Sequence, residues 1–163
     1  MSGHGPTTIV HVDAKNEPGT WHYVDEFTGL EIDLPNIAYE HLYTTALEDV
    51  KDFKGTWSES DINSLKVSIS ATETIDCKPE ILELDPYVEK GISESSMAYI
   101  VVPYVSSACE GVQRLGSLID QFGMASSEAC VIADENEVWY FEAYCGHQWL
   151  AQKVPQDCYL VAA

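Results

Sequence analysis

The clearest pattern along the chain is an alternation of apolar and polar residues over Val67–Ile75. Its apolar members are Val67, Ile69, Ala71 and Ile75, and they are spaced two residues apart or a multiple of two. This period predicts a β-strand with one buried face. Glu73 falls on the apolar face, where an unpaired carboxylate is costly to bury. The segment therefore predicts a strand in which Glu73 needs a separate explanation.

A helical period follows further along the chain. Gly91–Glu94 predicts a helix start, with Ser93 as the cap and Glu94 in the first turn. Met97–Val105 fits either a strand or a helix, and Pro103 predicts a kink or break there. A second helix is indicated by five apolar residues at helical spacing, followed by Gly123 as a stop: Ala108, Val112, Leu115, Ile119 and Phe122.

The last third of the chain predicts antiparallel strands, which makes the fold class α+β. Cys130–Ile132 and Val138–Tyr144 flank a polar turn of hairpin length, and Gln148–Val154 and Cys158–Val161 extend the series. The aromatic residues of these strands favour a core role over a ligand platform. Because the chain stops within the last of these strands, we expect a natural continuation.

The first 60 residues have the weakest pattern. Ile9–Val12 and Trp21–Val24 are candidate strands on either side of a turn at Asn16–Gly19. The acid-rich stretch Asp25–Asp61 predicts surface loops, with short helical turns around Ile37–Leu47.

The net charge of the chain excludes some classes of binding partner. The 163 residues include 27 Asp and Glu against 8 Lys and Arg, a net charge of −19, and Arg114 is the single arginine. Nucleic acid and anionic membranes are therefore not expected partners. The start of the chain is polar and has no cleavable signal, and the longest apolar stretch, Met97–Val105, is too short to span a bilayer. These features favour a cytoplasmic protein, although an upstream signal peptide stays open.

Cysteine and histidine spacing excludes several kinds of site. The five cysteines form no CxxC pair, which favours reduced, mostly buried thiols. The five histidines include no HExxH, so the sequence predicts no metal site. Cys145 and His147 could form a thiol–imidazole dyad, but a buried cysteine beside a hydrogen-bonded histidine is the commoner arrangement.

Two glutamates are the main candidates for chemistry. Glu73 and Glu142 both lie among the apolar residues of predicted strands. Such carboxylates can act as a general acid/base pair or bind a substrate amine. The alternative is structural, with each glutamate capping a loop amide or pairing with a lysine. No GxSxG elbow or phosphate-binding glycine loop is present, and Gly111 and Gly116 fit close packing of a helix.

Several short sequence motifs, taken in order along the chain, resemble those of the C69 dipeptidases of the N-terminal nucleophile hydrolase superfamily. The match runs over Leu65–Val161 and more loosely back to Leu34-Pro35. The motifs are Ser70-Ala71-Thr72-Glu73-Thr74; Leu84–Val88 with Gly91–Glu94; Val102–Tyr104 with Ser107–Gly116; Ile132–Trp139; and Gly146–Pro155.

The resemblance implies a four-layer αββα fold and hydrolysis of dipeptides by an N-terminal cysteine. The thiol would be the nucleophile, with the α-amino group of the chain as base, and an asparagine would bind the oxyanion. No metal or cofactor is implied. Glu73, with Thr72 and Glu142, would contact the substrate, and Glu73 would bind its free α-amine.

Departures from the family pattern qualify this expectation. Pro6 stands where a Cys-Thr-Thr phrase would have its cysteine, the family's Arg-Asn segment has no counterpart, and Cys109 replaces an arginine. We therefore expect residues 1–163 to be one incomplete C69-like domain, an internal fragment that lacks the catalytic cysteine and is inactive alone. Its expected partner is a dipeptide. The alternatives are a non-catalytic binding module, and a scaffold subunit that forms homo-oligomers or needs the missing flanking segments.

Overall fold

Seven antiparallel strands form the main sheet in a computed structural model that describes residues 7–46, 57–73 and 75–160. The described elements are β1 (Thr7–Val12), β2 (Lys15–Val24), β3 (Glu31–Ala38), β4 (His41–Ala46), β5 (Ser60–Asn63), β6 (Ser68–Thr72), α1 (Pro79–Leu82), α2 (Glu94–Val101), a 3₁₀ turn (Val102–Tyr104), α3 (Ala108–Phe122), β7 (Glu128–Ala133), β8 (Val138–Tyr144) and β9 (Gln148–Lys153). The sheet order is β1-β4-β5-β6-β7-β8-β9, and β2 pairs with β3 in a separate ribbon.

Helices α2 and α3 cover one face of this sheet. Ile69 of β6, Ile132 of β7 and Phe141 of β8 point toward them and are fully buried or nearly so. Glycines in α3 allow close approach, because a Cβ on Gly111 would lie 2.9 Å from Ile132 and one on Gly116 would lie 2.4 Å from the Trp149 ring. The prediction that these glycines serve close packing is confirmed.

The opposite face of the sheet is open among the described residues. Ile9, Leu42 and Ile62 on this face are 69%, 42% and 43% exposed. They line a shallow groove of about 410 Å³ that extends across β1 and β4 to β7. In an αββα arrangement the two sheets pack face to face and the helices lie outside them. A second sheet would therefore pack on this open face.

Most of the strongest sequence patterns are confirmed, but the strand predicted over Val67–Ile75 is shorter: β6 spans Ser68–Thr72, Glu73 lies beyond its end, and Thr74 is outside the described residues. Helix α3 begins and ends as the apolar spacing predicts, and α2 begins after Ser93. Met97–Val105 is resolved as the end of α2 followed by a 3₁₀ turn at Pro103. The hairpin of β7 and β8 and the strand β9 are also confirmed. The structure adds the short helix α1, which no pattern predicted.

Three predictions for the weaker regions are wrong. Asn16–Gly19 is not a turn but an irregularity within β2, where the pairing with β3 shifts register. The stretch Asp25–Asp61, predicted as surface loops with helical turns around Ile37–Leu47, instead contains β3 and β4, and residues 47–56 lie outside the described residues. Strand β4 reverses the usual pattern, with His41 and Thr45 buried and Leu42 exposed. Cys158–Leu160 form no strand, and Val161 is not described.

No helix in the described ranges is long and apolar enough to cross a membrane.

Asp134 connects the β7–β8 turn to the start of α3. Its carboxylate accepts hydrogen bonds from the backbone N–H groups of Ala108 at 2.7 Å, Asn136 at 2.7 Å and Glu137 at 3.1 Å. Burial by itself would raise the pKa of Asp134, but the three donors outweigh it and hold the pKa below its usual value of 3.8. The ionised carboxylate therefore stabilises both the turn and the helix start.

We expect Asp134→Ala to lower the free energy of unfolding by about 1–2 kcal/mol at pH 6, the usual cost of a lost helix cap. Because the folded pKa is depressed, this stabilisation is present above the unfolded pKa and is lost as the pH falls through the folded pKa. Urea unfolding between pH 3 and 6 should show the difference from wild type shrinking at the acid end. Asp157→Ala, at an exposed position, is the control. A difference that is constant with pH would contradict the role of the ionised carboxylate.

Candidate functional site

Three glutamates converge where the β6–β7 ladder meets the start of α2. Thr72, the last residue of β6, pairs with Ala129; Glu73 directly follows Thr72, and Glu128 is the first residue of β7. Glu94 is the first residue of α2. One carboxylate oxygen from each of Glu73, Glu94 and Glu128 lies within 4.8 Å of the other two. We call these three residues the glutamate cluster.

Glu128 is the buried member of the cluster. Its side chain is fully buried, Glu94 is half-buried and Glu73 is exposed, so the cluster opens to solvent on the Glu73 side. Burial, together with the neighbouring charges of Glu94 and Glu73, raises the pKa of Glu128 to about 7, although hydrogen bonding from the Ser126 hydroxyl and the Glu94 backbone opposes the shift. Chemically, this is an acidic recess suited to a proton or a cation.

The two oxygens of Glu128 differ in their partners. Oε1 accepts a hydrogen bond from the Ser126 hydroxyl at 2.6 Å. Oε2 is buried and has no hydrogen-bond partner in the part of the chain that the structure describes. A buried carboxylate oxygen without a donor is destabilising, so it favours a partner from outside the described residues, such as a bound cation.

Thr72 and Glu142 lie on the other face of the sheet. Thr72 pairs with Ala129, which pairs in turn with Glu142, so both side chains project from the open face, two strand spacings or about 10 Å apart. Glu73 is the next residue after Thr72 and is on the helix side with Glu128. The structure therefore brings Thr72 and Glu142 to one face and does not bring Glu73 and Glu142 together as a pair.

Cys145 forms a disulfide with Cys77, with their Cα atoms 5.6 Å apart. The expectation of reduced thiols is therefore wrong for this pair, and the Cys145–His147 dyad is excluded because the sulfur of Cys145 is already bonded. His147 instead contacts Asp85, with 3.0 Å between Nδ1 and Oδ1 and a backbone hydrogen bond of 2.7 Å. The disulfide attaches the segment after Glu73 to the end of β8.

Sequence reasoning missed two members of the glutamate cluster and one buried pair. The sequence pattern indicates a role for Glu94 only in the helix start. Nothing in the local sequence distinguishes Glu128 from the other acidic residues. His41 and Asp61 form a buried pair with 2.8 Å between Nδ1 and Oδ2 on the helix side of the sheet. Burial raises the pKa of Asp61 despite the opposing effect of His41. No local pattern identifies this pair, because His41 and Asp61 lie in the stretch predicted as surface loops and short helical turns.

The fold defines the class of protein first. A solved structure of penicillin V acylase from Agrobacterium tumefaciens superimposes with a TM-score of 0.59, covering 90% of this chain and 41% of that one at 12% identity. This likeness confirms the expected fold class: the chain adopts part of the N-terminal nucleophile hydrolase fold, with antiparallel sheets and a helical pair divided at Pro103.

The family follows from the sequence comparisons. A model of peptidase family C69 matches residues 4–163, so the chain belongs to that family, as the resemblance implied. A probable dipeptidase B of Lactococcus lactis is 40% identical over 157 residues, covering 96% of this chain and 32% of the relative. A probable dipeptidase of Latilactobacillus sakei is 40% identical over 141 residues, covering 86% and 29%. The chain thus spans about a third of the length of these relatives.

Proposed function

We propose that this chain contributes to a cysteine-type dipeptidase as a single C69-type domain spanning residues 1–163. The observation that carries the proposal is the family match over residues 4–163, together with relatives named probable dipeptidases at 36–40% identity. In this proposal the chain supplies the sheet and the helix layer beside the substrate. The nucleophilic cysteine is none of its five cysteines, and hydrolysis requires a nucleophile from elsewhere in the complete enzyme.

The substrate-binding residues of the proposal are Glu73, Thr72 and Glu142. Support for Glu73 comes from its exposed carboxylate at the mouth of an acidic recess, which favours a positively charged group. The free α-amine of an unblocked dipeptide is such a group. Thr72 and Glu142 offer a hydroxyl and a carboxylate on the open face, opposite to Glu73, so in this proposal they form a separate part of the binding surface.

The test is Glu73→Gln in the complete enzyme that contains this segment. Because a charge-assisted hydrogen bond contributes about 1.5–3 kcal/mol, we expect kcat/KM for unblocked dipeptides to fall about 10- to 100-fold. N-acetylated dipeptides should be poor substrates of both wild type and variant. Glu83→Gln, which removes the same charge at an exposed position, is the matched control. Unchanged kinetics in Glu73→Gln would refute the amine-binding role.

Binding to the 163-residue chain separates this proposal from a non-catalytic module. Calorimetric titration with an unblocked dipeptide and with its N-acetyl form measures recognition without chemistry. Binding that needs the free amine but gives no hydrolysis in the complete enzyme would favour the binding module. A chain that elutes as an oligomer and binds neither peptide would favour the scaffold alternative, since its open sheet face carries exposed apolar residues.

A further inference from the structure

We propose that the glutamate cluster is a binding site for a hard divalent cation, with Ca²⁺ favoured over Mg²⁺. This inference shares Glu73 with the dipeptidase proposal, and the experiment below distinguishes the cation from the substrate amine. It rests on the convergence of three carboxylates and on the buried oxygen of Glu128 that has no hydrogen-bond partner among the described residues. The absence of histidine or cysteine ligand spacing does not argue against such a site, because hard cations prefer carboxylate oxygens.

The oxygen separations suit calcium. Ca²⁺ binds oxygen at about 2.3–2.6 Å, so two of its ligands on opposite sides lie about 4.6–5.2 Å apart. Oxygens of Glu73, Glu94 and Glu128 that lie within 4.8 Å of one another can therefore contact one Ca²⁺ without moving the backbone. Mg²⁺ is usually bound through one or two carboxylates and keeps several waters, so a set of three carboxylates favours Ca²⁺ over Mg²⁺.

The three residues are held by different elements, which gives the site a defined shape. Glu128 is fixed by burial and by the Ser126 hydroxyl, Glu94 lies in the first turn of α2, and Glu73 directly follows the end of β6. The exposure of Glu73 leaves a path for the ion and room for water to complete the six to eight ligands that Ca²⁺ takes.

The charge also favours a divalent ion. Three carboxylates this close repel one another, and a single positive charge compensates fewer of them than Ca²⁺ does. The α-amine of a peptide is the second source of positive charge for the same carboxylates, so the experiment must distinguish the metal from the amine.

The test is calorimetric titration of the 163-residue chain with CaCl₂ and with MgCl₂ at pH 8 and constant ionic strength, paired with thermal unfolding in Ca²⁺ or EDTA. We expect Ca²⁺ to bind more tightly than Mg²⁺. Calcium at a hundred times its Kd should raise the Tm by about 5–10 °C. Glu73→Gln, Glu94→Gln and Glu128→Gln should each weaken Ca²⁺ binding tenfold or more, and Glu83→Gln should leave it unchanged.

Other outcomes would overturn the proposal. Ca²⁺ binding that is equal in Glu128→Gln and wild type would assign the ion to the acidic surface in general. Calcium at 10 mM exceeds the Kd of even the weakest extracellular calcium modules. A Tm that does not shift at this concentration would therefore rule out the site. Stabilisation by an unblocked dipeptide alone, lost in Glu73→Gln, would make the cluster an amine site instead, and would support the dipeptidase proposal. If Glu128→Gln fails to fold, the variants at Glu73 and Glu94, which are not fully buried, decide the result.

Discussion

Replacing Asn63 with alanine is expected to lower the free energy of unfolding by about 3–5 kcal/mol, the cost of leaving several buried polar groups without partners. Asn63 is 4% exposed at the end of β5. Its Nδ2 donates to the carbonyl oxygens of Val102 and Val105, both at 2.8 Å, and its Oδ1 accepts from the backbone N–H groups of Leu65 and Val67, both at 3.0 Å. One amide thus joins the β5–β6 turn to the chain around the 3₁₀ turn, and alanine cannot replace any of these bonds.

Asn63→Asp should be at least as destabilising as Asn63→Ala. A carboxylate can still accept from the two N–H groups, but it would face two carbonyl oxygens at 2.8 Å and repel them. Urea unfolding followed by circular dichroism measures both variants, and Asn136→Ala, at an exposed turn position, is the control. A loss of less than 1 kcal/mol in Asn63→Ala would show that the four bonds contribute little net stability.

Removing the Cys77–Cys145 disulfide is the second large change. The bond closes a loop between residues separated by 68 positions, so reduction enlarges the conformational freedom of the unfolded chain. We expect the double variant Cys77→Ser/Cys145→Ser to be less stable by about 2–4 kcal/mol, within the usual range for native disulfides. A dithiol such as dithiothreitol should lower the Tm of wild type toward that of the variant and leave the variant unaffected.

The control for the disulfide is Cys158→Ser, because Cys158 is exposed and unbonded. It should retain the wild-type Tm and the wild-type response to dithiothreitol. Alkylation with and without reduction, followed by mass spectrometry, counts the free thiols, for which we expect the unbonded Cys109, Cys130 and Cys158 in unfolded, unreduced protein. Five free thiols before reduction would contradict the disulfide.

Elements with a strong local period were predictable. Helix α3 shows an apolar stripe at helical spacing and a glycine stop, and the hairpin of β7 and β8 encloses a polar turn. One face of α3 is buried and the other is exposed to solvent, so the helical period appears in the sequence, whereas the hairpin is recognisable from two apolar strands on either side of a polar turn. Strand β4 has the opposite arrangement, with His41 and Thr45 inward and Leu42 outward, and its pattern predicted no strand.

The candidate site was predictable in part. Glu73 was identified because an acid interrupts the apolar face of a predicted strand. Glu94 and Glu128 join it through the start of α2 and the register of β7, neither of which a local pattern reveals. The disulfide was missed for the same reason, since its cysteines are 68 residues apart and meet only through the sheet.

The sequence by itself determined the family, the α+β class and the elements whose apolar period is strong, because these are properties of short segments and their order. The tertiary structure alone decided which polar residues meet: Glu73 with Glu94 and Glu128, His41 with Asp61, and Cys77 with Cys145. The physical reason is that strand register and helix docking are set by packing between distant segments, and a polar side chain acquires its partner only after that packing has formed.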